Sequence, residues 1–535
     1  GSRRDPPRSS EQEVDPPRRI VTYMQRIDPR TRTGLLVGAL AMFLALDVAF
    51  LISLIGLPFT PFALGQAIID VLPGFISIPL IETLQFWAKG LLVVGVVALF
   101  FIGGGLAGAF AVSARRSNAA VIATVAAPWV IAVGLGALVA GQRIDLGTSL
   151  IDGAVGFAVN ALALAFLAPA SVEQAPDPAP GRRRVLIGGA GVAALVALGG
   201  LPLSRALASV GTQLGGIAQS ARHLKEAAKI PPVDATVDAL PGITARLTAT
   251  ADHYTVDTTL VKPRVDIAKW KLDIVGNVER GYSLTYDELL DLDAIEQVRT
   301  LECISNPIGG DLMSTAVWTG VRLRDLLARA SPKAGSYDVV LTSVDGYSDS
   351  FPIAKAMEPD TFLAYLMNGA TLPVEHGFPA RMLVPNIYGM KNVKWLTQIK
   401  VETFDFKGYW QAQGWNDSAV INTNTRIDVP GRTVRWNGGE VTIAGVAYAG
   451  ARGIKQVEVS FDEGKSWQAA TLEAAAGPIT WVRWVARWTP PGPGSRPLWA
   501  RATDGNGDVQ TPVQRQPYPD GSTGYATVTL NVIKV

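Results

Sequence analysis

The chain has 535 residues, 48% hydrophobic and 18% charged, with a formal net charge of +2. That composition excludes a wholly disordered chain, and a single cysteine, Cys303, excludes a disulfide scaffold. A net charge near zero gives no electrostatic case for nucleic acid, which is not expected as a partner.

In chain order, the opening tail (DPPRSSEQEVDPPRR) is Pro- and charge-rich and is expected to be disordered over residues 1–33. Its start at Gly1-Ser2, without Met, reads as a cloning scar or a trimmed start. From Leu35 to Leu203 charge is sparse outside the Pro-rich stretch 171–184: Asp47, Asp70, Glu82, Lys89, Arg115, Arg116, Arg143, Asp145 and Asp152. This excludes a wholly soluble protein. Five stretches reach the roughly 20 apolar residues that a membrane helix needs: 35–57, 90–113, 119–140, 150–168 and 185–203. A sixth, 60–81, holds Pro61, Pro73, Pro79 and Asp70 and reads as re-entrant or interfacial, because prolines remove backbone hydrogen bonds that lipid cannot replace.

Charge then sets the orientation. Arg3, Arg4, Arg8, Arg18, Arg19, Arg26, Arg30 and Arg32 in the tail, Arg115 and Arg116, and Arg182, Arg183 and Arg184 all fall on one side if there are five spans. The opposite loops carry only Lys89 and Arg143. The positive-inside rule places the N-terminus in the cytoplasm and everything after residue 203 outside, in a multi-pass protein of the cell membrane. The segment Arg182–Leu186 followed by an apolar run also reads as an internal twin-arginine export signal; simple positive-inside anchoring accounts for it equally well. Asp47 lies mid-span, either as a proton- or quinol-linked carboxylate or as a neutral acid bonded to a neighbouring helix. It stands nearly alone, which counts against a transporter. The first histidine is His223, which excludes a bis-histidine haem in the membrane half.

Residues 206–250 read as a helix-prone linker (QSARHLKEAAK) and then loop, with His223 solvated. From 254 onward strands and helices alternate. KWKLDIVG reads as a strand. LTYDELLDL reads as a helix, with Thr285 as N-cap and Glu288 closing a capping box. VRLRDLLARA is an amphipathic helix, and YDVVLTSVDGY and ARMLVPNIY are strands. After about 415 come VTIAGVAY, QVEVSFDEGKSW, WVRWVARW, LWARATDGNG and ATVTLNV, regularly spaced strands that argue for an immunoglobulin-type β-sandwich, with Trp481, Trp484 and Trp488 as core or sheet-face residues rather than ligands.

Cys303 stands in RTLECISNP. By itself it is a small buried hydrophobe more readily than a site. No serine-type or papain-type signature surrounds it, and His223, His253 and His376 are too few to complete a zinc centre comfortably. A lone thiolate can instead complete the coordination of a metal whose other ligands come from an organic cofactor.

Residues 254–405 resemble the molybdopterin domain of the sulfite oxidase family, and 410–535 resemble that family's molybdenum-enzyme dimerisation domain. The motifs VKPRVDIAKWKLDIVG, LECISN, VWTGVRLRDLL, VDGYSDSFPI, LAYLMNGATLPVEHGFPARMLVP, YGMKNVKWL, VEVSFDEGKSW and ARATDGNG follow in family order. The resemblance implies a molybdenum-molybdopterin cofactor (Mo-MPT), with Cys303 as the protein's metal ligand. It implies that His376 and Arg381 hold the pterin and its phosphate, that Asn392, Val393 and Lys394 add backbone donors and a charge, and that His253, Tyr254 and Ser343 make further pterin contacts. Lys391 and Asn386 have weaker claims. The family places arginines where this chain has Asp257 and Ile308, and a tyrosine near the metal about where this chain has Trp415. Those exchanges disfavour a small dianion such as sulfite and make Asp257 and Trp415 candidate catalytic-pocket residues.

The expected division is then 1–33 tail, 34–205 membrane helices, 206–250 linker, 251–408 α+β molybdopterin domain and 409–535 immunoglobulin-like domain. The expected function is membrane-anchored, outward-facing oxygen-atom transfer on a small substrate such as an S- or N-oxide. Its partners are the lipid bilayer, a separate redox partner (a quinone, a cytochrome or a membrane subunit) and a second copy of the chain. The alternatives are a true sulfite oxidase, or a cofactor-free binding or assembly module that keeps the fold.

Overall fold

The computed structural model describes residues 28–53, 59–84, 87–113, 118–139, 146–167, 220–260 and 262–535. They form two compact units, one drawn from Gly1–Leu72 and Pro79–Ser209, the other from Pro73–Ile78 and Val210–Val535. The expectations for most of the tail, for the 171–184 stretch with its arginines and for the 185–203 span lie outside the described residues.

The first helices are α1 (Pro29–Ser53), α2 (Thr60–Val71), α3 (Gly74–Leu84), α4 (Trp87–Ser113), α5 (Asn118–Val139) and α6 (Leu146–Leu167), all in the first unit except the start of α3, up to Ile78. Helix α1 begins inside the expected tail, at a proline, whose fixed φ and missing N–H suit a first turn. Two helices, Arg30–Ser53 and Trp87–Ala111, are long and apolar enough to cross a membrane. A third span results if Thr60–Val71 and Gly74–Leu80, bent by 115°, are taken together. Ile122–Gly134 within α5 and Leu150–Ala165 within α6 are shorter apolar stretches. The described residues therefore give two clear candidate spans where the sequence suggested five. The break in 60–81 falls at Pro73, as the proline spacing implied.

Helices α1 and α4 meet through glycines four apart on each. A Cβ on Gly38 would overlap the Gly104 carbonyl, and one on Gly108 the Gly34 carbonyl, so close backbone approach demands glycine. Asp47 is half-buried. Asp152, on α6, is fully buried, and its Oδ2 accepts the Thr60 backbone N–H at 2.8 Å and the Thr60 hydroxyl. It thereby satisfies the first turn of α2, which lipid could not.

The second unit begins with eleven strands: β1 (Leu224–Glu226), β2 (Lys271–Gly276), β3 (Tyr282–Thr285), β4 (Ala294–Glu302), β5 (Met313–Arg322), β6 (Asp338–Ser343), β7 (Ser348–Pro352), β8 (Phe362–Met367), β9 (Ala370–Thr371), β10 (Arg381–Leu383) and β11 (Leu396–Val401). They make two sheets, ordered β1-β4-β5-β8-β10 with β9 on β8, and β3-β2-β11-β6-β7. Helices α7 (Tyr286–Leu290) and α8 (Leu323–Ala330) turn Leu289, Leu290, Leu323, Leu326 and Leu327 into the shared core. The capping box is present in full: the Thr285 side chain accepts from the Glu288 N–H, and the Glu288 carboxylate accepts from the Thr285 N–H at 2.8 Å.

Two expectations fail locally. Leu224–Glu226, expected to be helical, is an exposed strand pairing parallel with β4. The edge of β4 offers backbone partners, and Pro231-Pro232 leaves little room for a helix. ARMLVPNIY supplies only β10, because Pro385 and Asn386 (φ 62°) turn the chain away.

The C-terminal part is two facing sheets. One runs β12 (Asn424–Val429), β14 (Val441–Tyr448), β18 (Val482–Trp488), β17 (Thr471–Leu472); the other runs β13 (Thr433–Trp436), β20 (Ala526–Lys534), β19 (Gly494–Asp504), β15 (Ile454–Ser460), β16 (Gln468–Ala469). Ile443 and Trp484 from the first pack on Val457, Val459, Leu498 and Leu530 from the second. Trp484 and Trp488 are buried in this core, whereas Trp481 is buried in the core of the preceding domain.

Candidate functional site

Strand β4 ends at Glu302, and the chain then folds into a tight turn. Cys303 N–H donates to the Leu312 carbonyl at 3.0 Å, and Asn306 N–H donates to the Cys303 carbonyl at 3.0 Å. The Asn306 side chain locks the turn from both ends, accepting from Leu312 N–H and donating to Glu302. Cys303 is buried, with Sγ 2.9 Å from Ser305 Oγ. Burial pushes its thiol above the ordinary value. A cationic ligand would reverse that preference, since metal coordination deprotonates a thiol. Glu302, which sequence reasoning passed over, is buried behind the sulfur. It accepts from the Asn306 and Asn424 side chains, and burial pushes it up to about 7.

Around this turn the structure gathers several of the expected residues. Tyr254, Tyr347 and Tyr388 each lie close enough to feel the Cys303 sulfur, and burial raises all three phenols. His253 stacks on Tyr254 with centroids 5.4 Å apart, meets His376 edge-on at 5.0 Å and Trp318 at 5.6 Å. Arg381 lies against the same Trp318 ring, 5.2 Å from its centroid. Its guanidinium is buried and donates only to carbonyls, that of His376 at 3.1 Å and that of Asn392 at 3.2 Å. Asn392 spends its own side chain inside its loop, accepting from Val384 N–H at 2.7 Å and donating to the Tyr388 carbonyl at 3.1 Å. Val393 is buried, its carbonyl accepting from Met382 N–H.

Lys394 is only partly available. Its ammonium lies 3.2 Å from Asp257 Oδ2, donates to the Glu375 carbonyl at 3.1 Å, and is pulled down to about 8 by burial against the opposing effect of Asp257. Asp257 thus neutralises a lysine, rather than standing as an open carboxylate towards substrate. Ser343 closes β6 and is buried. Trp415 is buried within an aromatic run, Tyr347–Tyr409–Trp410–Trp415–Tyr518, with successive centroids 6.2, 5.0, 6.1 and 5.4 Å apart. It is not brought against the Arg381 cluster. Ile308 packs on the core of the C-terminal sheets.

An anionic ligand fits what Arg381 leaves unsatisfied. Arg381 Nε, His253 Nε2 and Ser343 Oγ are among the buried polar atoms with no hydrogen-bond partner in the described residues. Buried polar atoms are rarely left so without cause. Arg381 is the decisive case, because a buried guanidinium with no carboxylate against it is costly until an anion arrives. Burial alone pulls it down to about 10.

Comparison with known proteins identifies the segment that carries most of this cluster. Residues 259–410 match the family model of the oxidoreductase molybdopterin binding domain. This segment is a molybdopterin-binding oxidoreductase domain. Its cofactor class is accordingly Mo-molybdopterin, whose metal supplies two-electron redox chemistry when bound. Residues 416–514 match the Mo-co oxidoreductase dimerisation domain. Mitochondrial sulfite oxidase of Homo sapiens is 34% identical over 256 residues, covering 39% of this chain and 47% of that protein. The NADH nitrate reductase of Volvox carteri is 32% identical over 285 residues, covering 42% and 33%. The chain thus spans under half the length of these curated relatives. The crystal structure of a sulfane dehydrogenase from Paracoccus pantotrophus aligns with a TM-score of 0.48 at 23% identity, covering 56% of this chain and 85% of that one.

The two histidines make a testable link between site and stability. Burial pushes His376 down to about 4 and His253 to about 3. The unfolded chain binds protons at these positions below about 6.5, and the folded chain does not. Stability is therefore present above that value and lost as pH falls towards about 4, by about 3 kcal/mol for His376 alone. Thermal unfolding of the cofactor-free protein should drop over that window, and His376→Gln should flatten the drop; an identical pH slope in the variant would contradict the assignment.

Proposed function

We propose that this chain is a membrane-anchored molybdenum-cofactor oxidoreductase with an outward-facing active site. It carries out two-electron oxygen-atom transfer on a small, uncharged substrate such as an S- or N-oxide and exchanges electrons with a separate partner. The uncompensated Arg381 carries the reading, as the seat for the cofactor's phosphate. Cys303 binds the metal; His253, Tyr254, Ser343, His376, Asn392, Val393 and Lys394 surround the pterin; Trp415 lines the outer pocket. Five spans anchor the chain, with all the cytoplasmic arginines on one side. The immunoglobulin-like C-terminal part pairs two copies.

Charge pairing supports the substrate class. Lys391 is neutralised by Asp349 at 2.9 Å and Asp417 at 3.0 Å, and Lys394 by Asp257. With Arg381 committed to the cofactor, these pairings leave little positive charge for a dianion, which needs a cationic pocket. Sulfite or nitrate remains the competing substrate, favoured by sequence identity to the proteins named above. The test uses the loaded full-length protein. Reduction of dimethyl sulfoxide and trimethylamine N-oxide by a viologen dye is compared with ferricyanide-coupled sulfite oxidation. At least about a tenfold preference in kcat/KM for an oxide, equivalent to ~1.4 kcal/mol, is expected. The opposite preference would overturn the substrate assignment and leave the cofactor assignment intact.

A further inference from the structure

One feature of the second unit is used neither by the cofactor cradle nor by the fold's apolar core. It is a line of titratable side chains joined without a gap. The Tyr347 hydroxyl, beside the Cys303 turn, lies 3.1 Å from Asp349 Oδ2 and 2.8 Å from the Met390 carbonyl. Asp349 Oδ1 accepts from Lys391 Nζ at 2.9 Å. Lys391 Nζ also donates to the Ser350 carbonyl at 2.7 Å and to Asp417 Oδ1 at 3.0 Å. The other oxygen of Asp417 accepts from Lys407 Nζ at 2.7 Å. Exposure rises outward along the line, from 0% for the Asp349 side chain and 2% for Lys391 to 40% for Asp417 and 48% for Lys407.

Burying an ion pair is a poor way to gain stability, so this one invites a functional account. Oxygen-atom transfer supplies the need. Taking the oxygen from water, X + H2O gives XO, two protons and two electrons; the reverse reaction takes both protons up. The electrons pass to or from the quinone- or cytochrome-class partner proposed above. The protons must pass between a buried pocket and solvent in either direction.

We propose that Tyr347, Asp349, Lys391 and Asp417 form the proton route between the Cys303 pocket and solvent. The Tyr347 hydroxyl gives its proton to Asp349 as it takes one from the pocket, and the Met390 carbonyl holds the hydroxyl in place. Lys391, an ammonium with three donors in use, first releases a proton to Asp417 at the surface and then takes one from Asp349; uptake runs the same steps in reverse. The remaining charged neighbours are Asp345 beside Tyr347, Asp405 on Lys407, and Asp338, which feels Asp405 and Asp417. The route rests on the oxygen-transfer part of the proposed function, not on the identity of X.

The competing account is mechanical: Lys391 merely pins the turn Gly389–Lys391 to β7. Arginine separates the two, since it keeps the charge and the donors but does not release a proton at working pH. The experiment follows proton uptake with a pH-indicator dye while the loaded full-length protein is reduced by a viologen in stopped flow, without substrate. Failure of the substrate assignment therefore cannot mimic failure of the route. Tyr347→Phe and Lys391→Arg should each keep molybdenum content and melting temperature, slow proton uptake by at least about tenfold, the lower range for a lost proton-transfer group, and recover on adding imidazole or formate. Uptake at the wild-type rate in both variants overturns the route, as does slowing at full cofactor content that imidazole or formate does not rescue. Should the inner variants lose cofactor, Asp417→Asn, at the half-exposed end, decides: slowed and rescued uptake supports the route, and unchanged uptake ends it.

Discussion

Cys303→Ala should fold with unchanged secondary structure and carry less than about a tenth of the wild-type molybdenum. The substitution removes one soft sulfur from a small buried side chain, and the turn that holds it is fixed by backbone bonds to Leu312 and by the Asn306 side chain, none of which involves the sulfur. The cost to the fold is then small, about 1 kcal/mol for a deletion of this size. The cost to the metal is large, because thiolate is the soft ligand that suits it and no other cysteine exists. Pterin should persist in part, since the Arg381 cluster is untouched. Metal analysis beside pterin fluorescence after oxidative release separates the two. Full molybdenum in Cys303→Ala would remove this residue from the centre.

Arg381 should show the reverse pattern. Arg381→Met should lose both pterin and molybdenum, by at least about a hundredfold in retention, the equivalent of ~3 kcal/mol for breaking a buried charge-assisted contact. The cofactor-free variant should nonetheless melt no lower than the cofactor-free wild type. In that state the guanidinium is buried, bonded only to the His376 and Asn392 carbonyls, and left with an unpartnered Nε. Replacing such a charge with an apolar group of similar length relieves desolvation. Arg381→Lys, a point charge without the planar fork, should retain an intermediate fraction. A cofactor-free Arg381→Met that unfolds well below wild type would mark Arg381 as a structural residue instead.

These two sites differ in how they could be read from sequence. The capping box of α7, the alternation of the C-terminal strands and the burial of Trp484 follow from local spacing, and local spacing is visible in a string. Cys303 has no local signature of its own; order among distant motifs exposed it. What stayed hidden was pairing across the fold. Asp257 looked like a free carboxylate because the lysine that neutralises it stands at 394. Asp349 and Lys391 lie forty-two positions apart, and Glu302 and Asn424 one hundred and twenty-two apart, so neither pair leaves a periodic trace. Leu224–Glu226 failed for the same reason, since the strand exists only because the edge of β4 is there to receive it. In the helical unit, Asp152 was one charge among few in an apolar run. Only the structure shows it satisfying the first turn of α2 from another helix.

The central claim is that the cluster around Cys303 and Arg381 is built to hold a molybdopterin. Its most direct test is the molybdenum and pterin content of the wild-type full-length protein, purified in detergent from a host that makes the cofactor. Near-stoichiometric molybdenum with pterin, displaced from the protein only on denaturation, is the expected result. Neither metal nor pterin in that preparation, with the fold intact, would contradict the account and leave Arg381 a buried charge without an explanation.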